Sequence, residues 1–427
     1  MLVTKRLTPI LLVVFLLLAT LFVFNSSNSI VASISRQQQQ QQQQKSSPQD
    51  PTIATSPAPS LSHPDAISYD NSTPPTVGCE VLVHDLQSRI ISTYQQQLKG
   101  IRYANIFGYL ETENKGDAAI WSAQQILMSM MGITFMETCR FTDKDCDIDK
   151  YKALLDAHKP HSAIFIAGGG NFNDFYWEDQ PARIKMVDMF REYPIRSFPQ
   201  SIYMTKADSI NQTKVSFGSH PDLQLAARDQ PSYKWLEDTF GDNAVGIEKN
   251  KVRRILTPDI AFLWGSRPDF RTNTNKTHNI LILARDDWEI SAGESSSIPL
   301  GEGTLSLGGL AGDVTYHKTD WKFHTTPGIN DIPKELGPNQ RAWAKAIQGF
   351  EMLGSADFII TDRLHGHIMA TLIGTPHVLL DSKLGKNLNF HDTWTKDCGC
   401  TRVAGSMEEA KRFARMFFEE RKLKQGV

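Results

Sequence analysis

The segment Thr361-Asp362-Arg363-Leu364-His365-Gly366-His367 sets an arginine and a histidine two residues apart, just after the apolar run Phe358-Ile359-Ile360 and at the start of a helix. Arg363 carries a planar fork of donors suited to phosphate or carboxylate. His365 can exchange protons near neutral pH. Gly366 leaves room for an anion at the helix start. Together they suit a site that binds an anion and exchanges a proton, with Arg363 and His365 as the catalytic candidates. His367 is expected to be structural. Two more arginines follow strands: Arg228 in Ala227-Arg228-Asp229-Gln230-Pro231-Ser232, and Arg285 in Ala284-Arg285-Asp286-Asp287. A strand-end arginine can grip a carboxylate or phosphate bidentately. Arg228 has a duller alternative, a capping contact with Asp229. Two such arginines in two halves of the chain suggest cleft walls that share one anion.

Two glycine turns add neutral groups. Gly116-Asp117-Ala118-Ala119-Ile120 lies between a strand and a helix, so Asp117 either faces a ligand or serves as N-cap. Gly168-Gly169-Gly170-Asn171-Phe172-Asn173-Asp174 ends a strand. Its glycines allow close approach of backbone to a ligand, and Asn171, Asn173 and Asp174 suit sugar hydroxyls. No Gly-Lys-Ser follows, which excludes a phosphate-binding P-loop. Gly169, Gly170, Asn171, Asp117 and Gly366 join Arg228 and Arg285 as binding candidates.

These motifs need strands that end where helices begin, and the chain alternates accordingly. Strands are expected at 101–110, 133–136, 163–167, 195–198, 223–227 and 255–262, with helices at 116–131, 148–157 and 182–193. After Arg267-Pro268 the pattern restarts, with strands at 279–284, 357–361 and 377–380 and helices at 341–353 and 366–373. A final amphipathic helix at 407–424 packs back. The order predicts an α/β fold with two Rossmann-like domains, 78–266 and 267–427, facing a cleft. The Gly-rich stretch 291–338 reads as an irregular functional loop or insertion.

The chain has 427 residues with 45 Lys plus Arg against 47 Asp plus Glu, a net charge of -2. That excludes nucleic-acid binding driven by bulk charge. Lys5 and Arg6 precede an apolar run from Leu7 to Phe24, read as a signal-anchor helix that puts residues 1–6 in the cytosol and the body in the lumen. A cleavable signal peptide is the competing reading. Residues 25–77, with an unbroken glutamine tract at 37–44, form a disordered stalk. Sequons at Asn71, Asn211 and Asn275 suit a lumenal glycoprotein. Of the five cysteines, Cys139 and Cys146 can pair, while Cys398 and Cys400 can pair with each other only under strain. His391 with Cys398 and Cys400 is a faint metal pattern, and at least one thiol stays free or pairs between chains.

The order Gly-Asp-Ala-Ala-Ile, Gly-Gly-Gly-Asn-Phe, Pro199-Gln200-Ser201, Ala-Arg-Asp-Gln-Pro-Ser, Pro258-Asp259-Ile-Ala-Phe262 and Asp-Arg-Leu-His-Gly resembles the polysaccharide pyruvyltransferases. The likeness runs from Tyr103 to Leu388 and is most specific at Arg-Leu-His-Gly, followed by Gly374-Thr-Pro376 and Lys383. It implies a glycosyltransferase-B-like fold, phosphoenolpyruvate as donor and a sugar diol as acceptor, joined as a pyruvate ketal. With the anchor, it implies a type II Golgi membrane protein of the fungal kind, which caps galactose-containing glycans. Carried over by position, Arg363 and His365 are active-site residues, and Arg228 and Arg285 contact the donor. No Asp-x-Asp cluster stands out, so no metal or cofactor is expected. A nucleotide-sugar glycosyltransferase on the same architecture is the alternative, and a non-catalytic lumenal lectin or scaffold is a third.

Overall fold

Continuous apolar runs such as Ser162–Ile166 and His278–Leu283 form strands covered on both faces, the habit of parallel sheets flanked by helices. The computed structural model describes residues 72–426, apart from 141–145, 177, 245–250, 274–275, 288, 290–297, 322–331 and 334. The expected tail, anchor and most of the stalk, with sequons Asn71 and Asn275, lie outside the described residues. Among the described residues no helix is long and apolar enough to cross a membrane.

The first sheet holds β1 (Tyr103–Phe107), β2 (Thr134–Cys139), β3 (Ser162–Ile166), β4 (Gly169–Asn173), β5 (Ile195–Ser197), β6 (Gln200–Tyr203), β7 (Leu223–Ala227) and β8 (Val252–Leu256). Their order is β2-β1-β3-β5-β7-β6-β4, with β8 also on β7, and the pairings are parallel. The second holds β9 (His278–Leu283), β10 (Gly301–Ser306), β11 (Asp313–Thr319), β12 (Ala356–Thr361), β13 (His377–Leu380) and β14 (Thr401–Ala404), in the order β10-β11-β9-β12-β13-β14. Only β10 runs antiparallel. The molecule is thus an α/β fold with two Rossmann-like sheets.

Side chains alternate across the strands. Ala163 and Phe165 of β3 and Leu281 and Leu283 of β9 face one shared apolar core, whereas Ile164 and Ile166, and Ile280 and Ile282, face two separate outer cores. The shared core is built from helices Glu80–Gln97, Lys115–Met130, Pro338–Gly354 and Leu364–Ile373. This common layer makes 68–427 one compact unit. Cys79, just before helix Glu80–Gln97, is disulfide-bonded to Cys398 across the unit, so the 78–266 segment is covalently tied to the 267–427 segment.

Several expected elements differ. The strand expected at 255–262 stops at Leu256. Pro258 has no N–H to give the ladder, and Asp259 accepts the Ala261 N–H to start a 3₁₀ turn, Ile260–Trp264. The supposed loop 291–338 contains β10 and β11, and β11 is an inner strand parallel to β9. Gly168–Gly170 do not merely end a strand. Gly169 takes φ +130°, a value that side chains resist, and opens β4. Cys139 pairs with Cys146, and Cys398 pairs with Cys79 rather than Cys400, which is buried and free. The His391–Cys398–Cys400 metal pattern does not assemble, because His391 bonds Thr395 and Cys398 is in a disulfide.

Candidate active site

The carboxyl ends of strands from both sheets converge on a cavity of about 460 Å³. Arg228, Arg285, Arg363 and His365 all line it, as do Asp117, Gly169, Gly170 and Asn171. Each arginine sits one or two residues past its strand, after β7, β9 and β12, so the sheets themselves bring the three together.

The arginines arrive already paired, which the sequence did not reveal. Arg228 donates from Nη1 to Asp259 at 2.7 Å and from Nε to Ser201 at 2.9 Å. Asp229, its alternative partner, instead caps the next helix through the Ser232 N–H. Arg285 holds Asp287 from Nε and Nη2 at 2.8 and 3.0 Å, with Glu289 at 3.0 Å. Burial pulls its guanidinium down, but Glu289 and Asp287 hold it above the ordinary range. Arg363 spends its Nε–Nη2 edge on Asp320, at 2.8 and 2.5 Å. The fork expected for a ligand is therefore occupied, and among the described residues Arg363 has its Nη1 left to offer. The pairings fix the guanidiniums in space and offset part of their charge. Lys386 adds a fourth cation against Glu289. Burial first, partly opposed by Glu289, brings its ammonium down to about 8.

His365 lies against the opposite wall. A side chain on Gly116 would come within 2.6 Å of the His365 Cβ, so the glycine of Gly-Asp-Ala-Ala-Ile makes room for the imidazole. Asn114, not Asp117, caps that helix, and Asp117 accepts the Thr112 hydroxyl at 2.9 Å. The buried His365 Nε2 stands 3.4 Å from Asp259 Oδ2, an ion-pair distance without good hydrogen-bond geometry. Asp259 is fully buried and bridges His365 and Arg228. Burial alone would raise its carboxyl, but His365, Arg228 and the Ala261 N–H hold it well below the ordinary carboxylate range. Asp362 is pushed the other way, up to about 6, by burial that the Arg285 N–H, Arg363 and Arg285 only partly offset.

Gly366 does not line the cavity. A side chain there would meet Thr361 Oγ1 at 2.5 Å and Leu283 at 2.9 Å, so this glycine lets the helix pack on the sheet. His367 turns away into a buried cluster, bonding His377 and Thr395 at 2.8 Å each. Lys383 is exposed, and Lys386 is the lysine in the cavity. Asn171 donates to Asp179 at 3.1 Å, forming a polar wall with Tyr176 and Glu178.

Asp259, Asp287, Glu289, Asp320, Trp321 and Lys386 were not picked out by sequence reasoning. Asp259 stood in the Pro-Asp-Ile-Ala-Phe motif, where its invasion of the site had no local signal. Asp320 and Trp321 lie in the stretch 291–338, directly after β11.

The arrangement can hold an anion between cations on both walls and present it to a histidine backed by a carboxylate. The sequence profile for polysaccharide pyruvyl transferase matches residues 114–383. Pyruvyl transferase 1 of Schizosaccharomyces pombe is 33% identical over 343 residues, covering 78% of this chain and 81% of that protein. The Bacillus subtilis protein EpsO is 26% identical over 57% of this chain and 73% of its own. A solved structure of a functionally uncharacterised Klebsiella pneumoniae protein shares the fold, with a TM-score of 0.50 at 13% identity over 75% of this chain and 99% of that one. The profile match takes in all three arginines and His365, and the chain belongs to the polysaccharide pyruvyl transferase family, as a transferase.

Proposed function

We propose that this protein transfers pyruvate from phosphoenolpyruvate to two hydroxyls of a terminal galactose, giving a pyruvate ketal and inorganic phosphate. The observation that carries the reading is the gathering of Arg228, Arg285, Arg363, Lys386 and His365 around one cavity. Phosphoenolpyruvate holds a carboxylate and a phosphate close together, and such a dianionic pair calls for several oriented cations. The guanidinium nitrogens left over from the internal pairings face that task.

Catalysis needs a proton at C3 of the donor before C2 can be attacked. His365 delivers it, with the Asp259 carboxylate 3.4 Å from its Nε2. One sugar hydroxyl then attacks the cation at C2 and loses its proton. Phosphate departs, and the second hydroxyl closes the ketal. The polar wall of Asn171, Asp179 and Tyr176 suits the sugar. No metal is required by this sequence of steps.

The two facing sheets support a glycosyltransferase-B-like reading of the architecture. Two disulfides and an exposed Asn211 sequon support an oxidising lumen, consistent with residues 7–24 as a Golgi signal anchor. A donor screen of phosphoenolpyruvate against nucleotide sugars, with galactosides as acceptors, tests the activity. Turnover with a nucleotide sugar and none with phosphoenolpyruvate contradicts it.

A further inference from the structure

Three large aromatic side chains remain exposed beside the cavity: Phe175 and Tyr176 at 39% and Tyr203 at 42%. Phe175 and Tyr203 stack, with ring centroids 5.3 Å apart and planes 29° from parallel. Tyr176, next to Phe175 in the chain, lines the cavity itself, its hydroxyl donating to Glu289 at 3.1 Å.

The patch is held in place from below. Asn173 Oδ1 accepts the N–H groups of Phe175 and Tyr176 at 3.0 and 3.1 Å. The buried Asp174 carboxylate accepts the N–H groups of Thr205 and Lys206 at 2.7 and 2.6 Å. The β4–β6 register sets Tyr203 beside Asn173 at the carboxyl ends of the strands, the ligand side of such sheets. A fixed apolar patch in that position marks a binding surface.

We propose that Phe175, Tyr176 and Tyr203 form an aromatic platform for the pyranose ring that follows the terminal sugar of the acceptor glycan. The proposal rests on the galactose-acceptor reading. A pyranose has an apolar C–H face that packs flat on the electron-rich face of an aromatic ring, while its hydroxyls stay in water. The cavity of about 460 Å³ must hold the donor and the terminal sugar, so the next ring falls at the rim, where the platform stands.

The test compares two acceptors with the full chain, lactose with a second ring and methyl β-galactoside without one. In Phe175→Ala and Tyr203→Ala, KM for lactose rises about tenfold, the scale of losing an aromatic anchor. KM for methyl β-galactoside, KM for phosphoenolpyruvate and kcat stay at their wild-type values, and Phe175→Trp restores lactose. Equal changes for both acceptors, no change for either, or a change only in oligomeric state overturns the platform. If the wild-type protein pyruvylates neither galactoside, the galactose reading falls and takes the platform with it.

Discussion

Asp259→Asn separates the charge of the buried carboxylate from its shape. The asparagine keeps an oxygen for the Ala261 N–H, now accepted by Asp259 Oδ1 at 2.9 Å. It loses the negative charge 2.7 Å from Arg228 Nη1 and 3.4 Å from His365 Nε2. Three effects follow. Arg228 is left buried without its counter-charge, and breaking such a pair costs about 3–5 kcal/mol of stability. Donor KM rises roughly tenfold, since a charge-assisted contact that orients Arg228 is worth about 1.5–3 kcal/mol. A general acid contributes about 10²–10⁴-fold, so kcat falls on the order of 10²-fold when the acid loses its support. The split between kcat and donor KM gives the diagnostic. Phosphate release from phosphoenolpyruvate at saturating acceptor reads all of this, with thermal melting as the control for folding. An unchanged kcat would refute the dyad and leave Asp259 as a partner of Arg228 alone.

Other outcomes follow from the same geometry. His365→Gln abolishes turnover but still binds phosphoenolpyruvate in calorimetry, whereas near wild-type turnover would move the acid elsewhere. Arg228→Ala, Arg285→Ala and Arg363→Ala each weaken donor binding about tenfold or more, and the lysine variants recover only part of it; unchanged affinity in all three would dissolve the shared site. Burial holds His367 below the ordinary histidine range and brings His377 and His391 to about 4. The unfolded chain protonates them near about 6.5, so their contribution is complete above that pH and is lost as the pH falls toward 4, by an order of a few kcal/mol. Urea titrations at pH 7.5 and pH 5 check this, and a flat result contradicts it. Reducing the Cys79–Cys398 bridge, which spans 319 residues, lowers stability by about 2–5 kcal/mol in melts with and without reductant.

The sequence was most legible where local chemistry announces itself. The alternation of strands and helices predicted both sheets, and the strand-end positions of Arg228, Arg285 and Arg363 put them at one cavity because parallel strands share a ligand edge. What stayed hidden depends on distant contacts. Nothing near Asp259 in the chain says that Arg228 and His365 will meet it, and nothing near Gly116 says that an imidazole will lie on it. Asp313–Thr319 was missed as a strand because glycines and polar residues surround it, although its Val314 and Tyr316 fill the outer core. The helix Glu80–Gln97 was also passed over, since its apolar face at Val83, Leu86, Ile90 and Tyr94 is diluted by glutamines and charges.

The central claim is that the cleft protonates phosphoenolpyruvate at C3 and traps C2 with a sugar diol. The direct measurement is mass spectrometry and NMR of the product made in D₂O from phosphoenolpyruvate and a galactoside. The account predicts an acceptor heavier by pyruvate less one water, a ketal methyl group carrying one solvent-derived deuterium, and one phosphate released per ketal. An acceptor that gains a hexose or a phosphate, or a methyl group with no solvent deuterium, would contradict it.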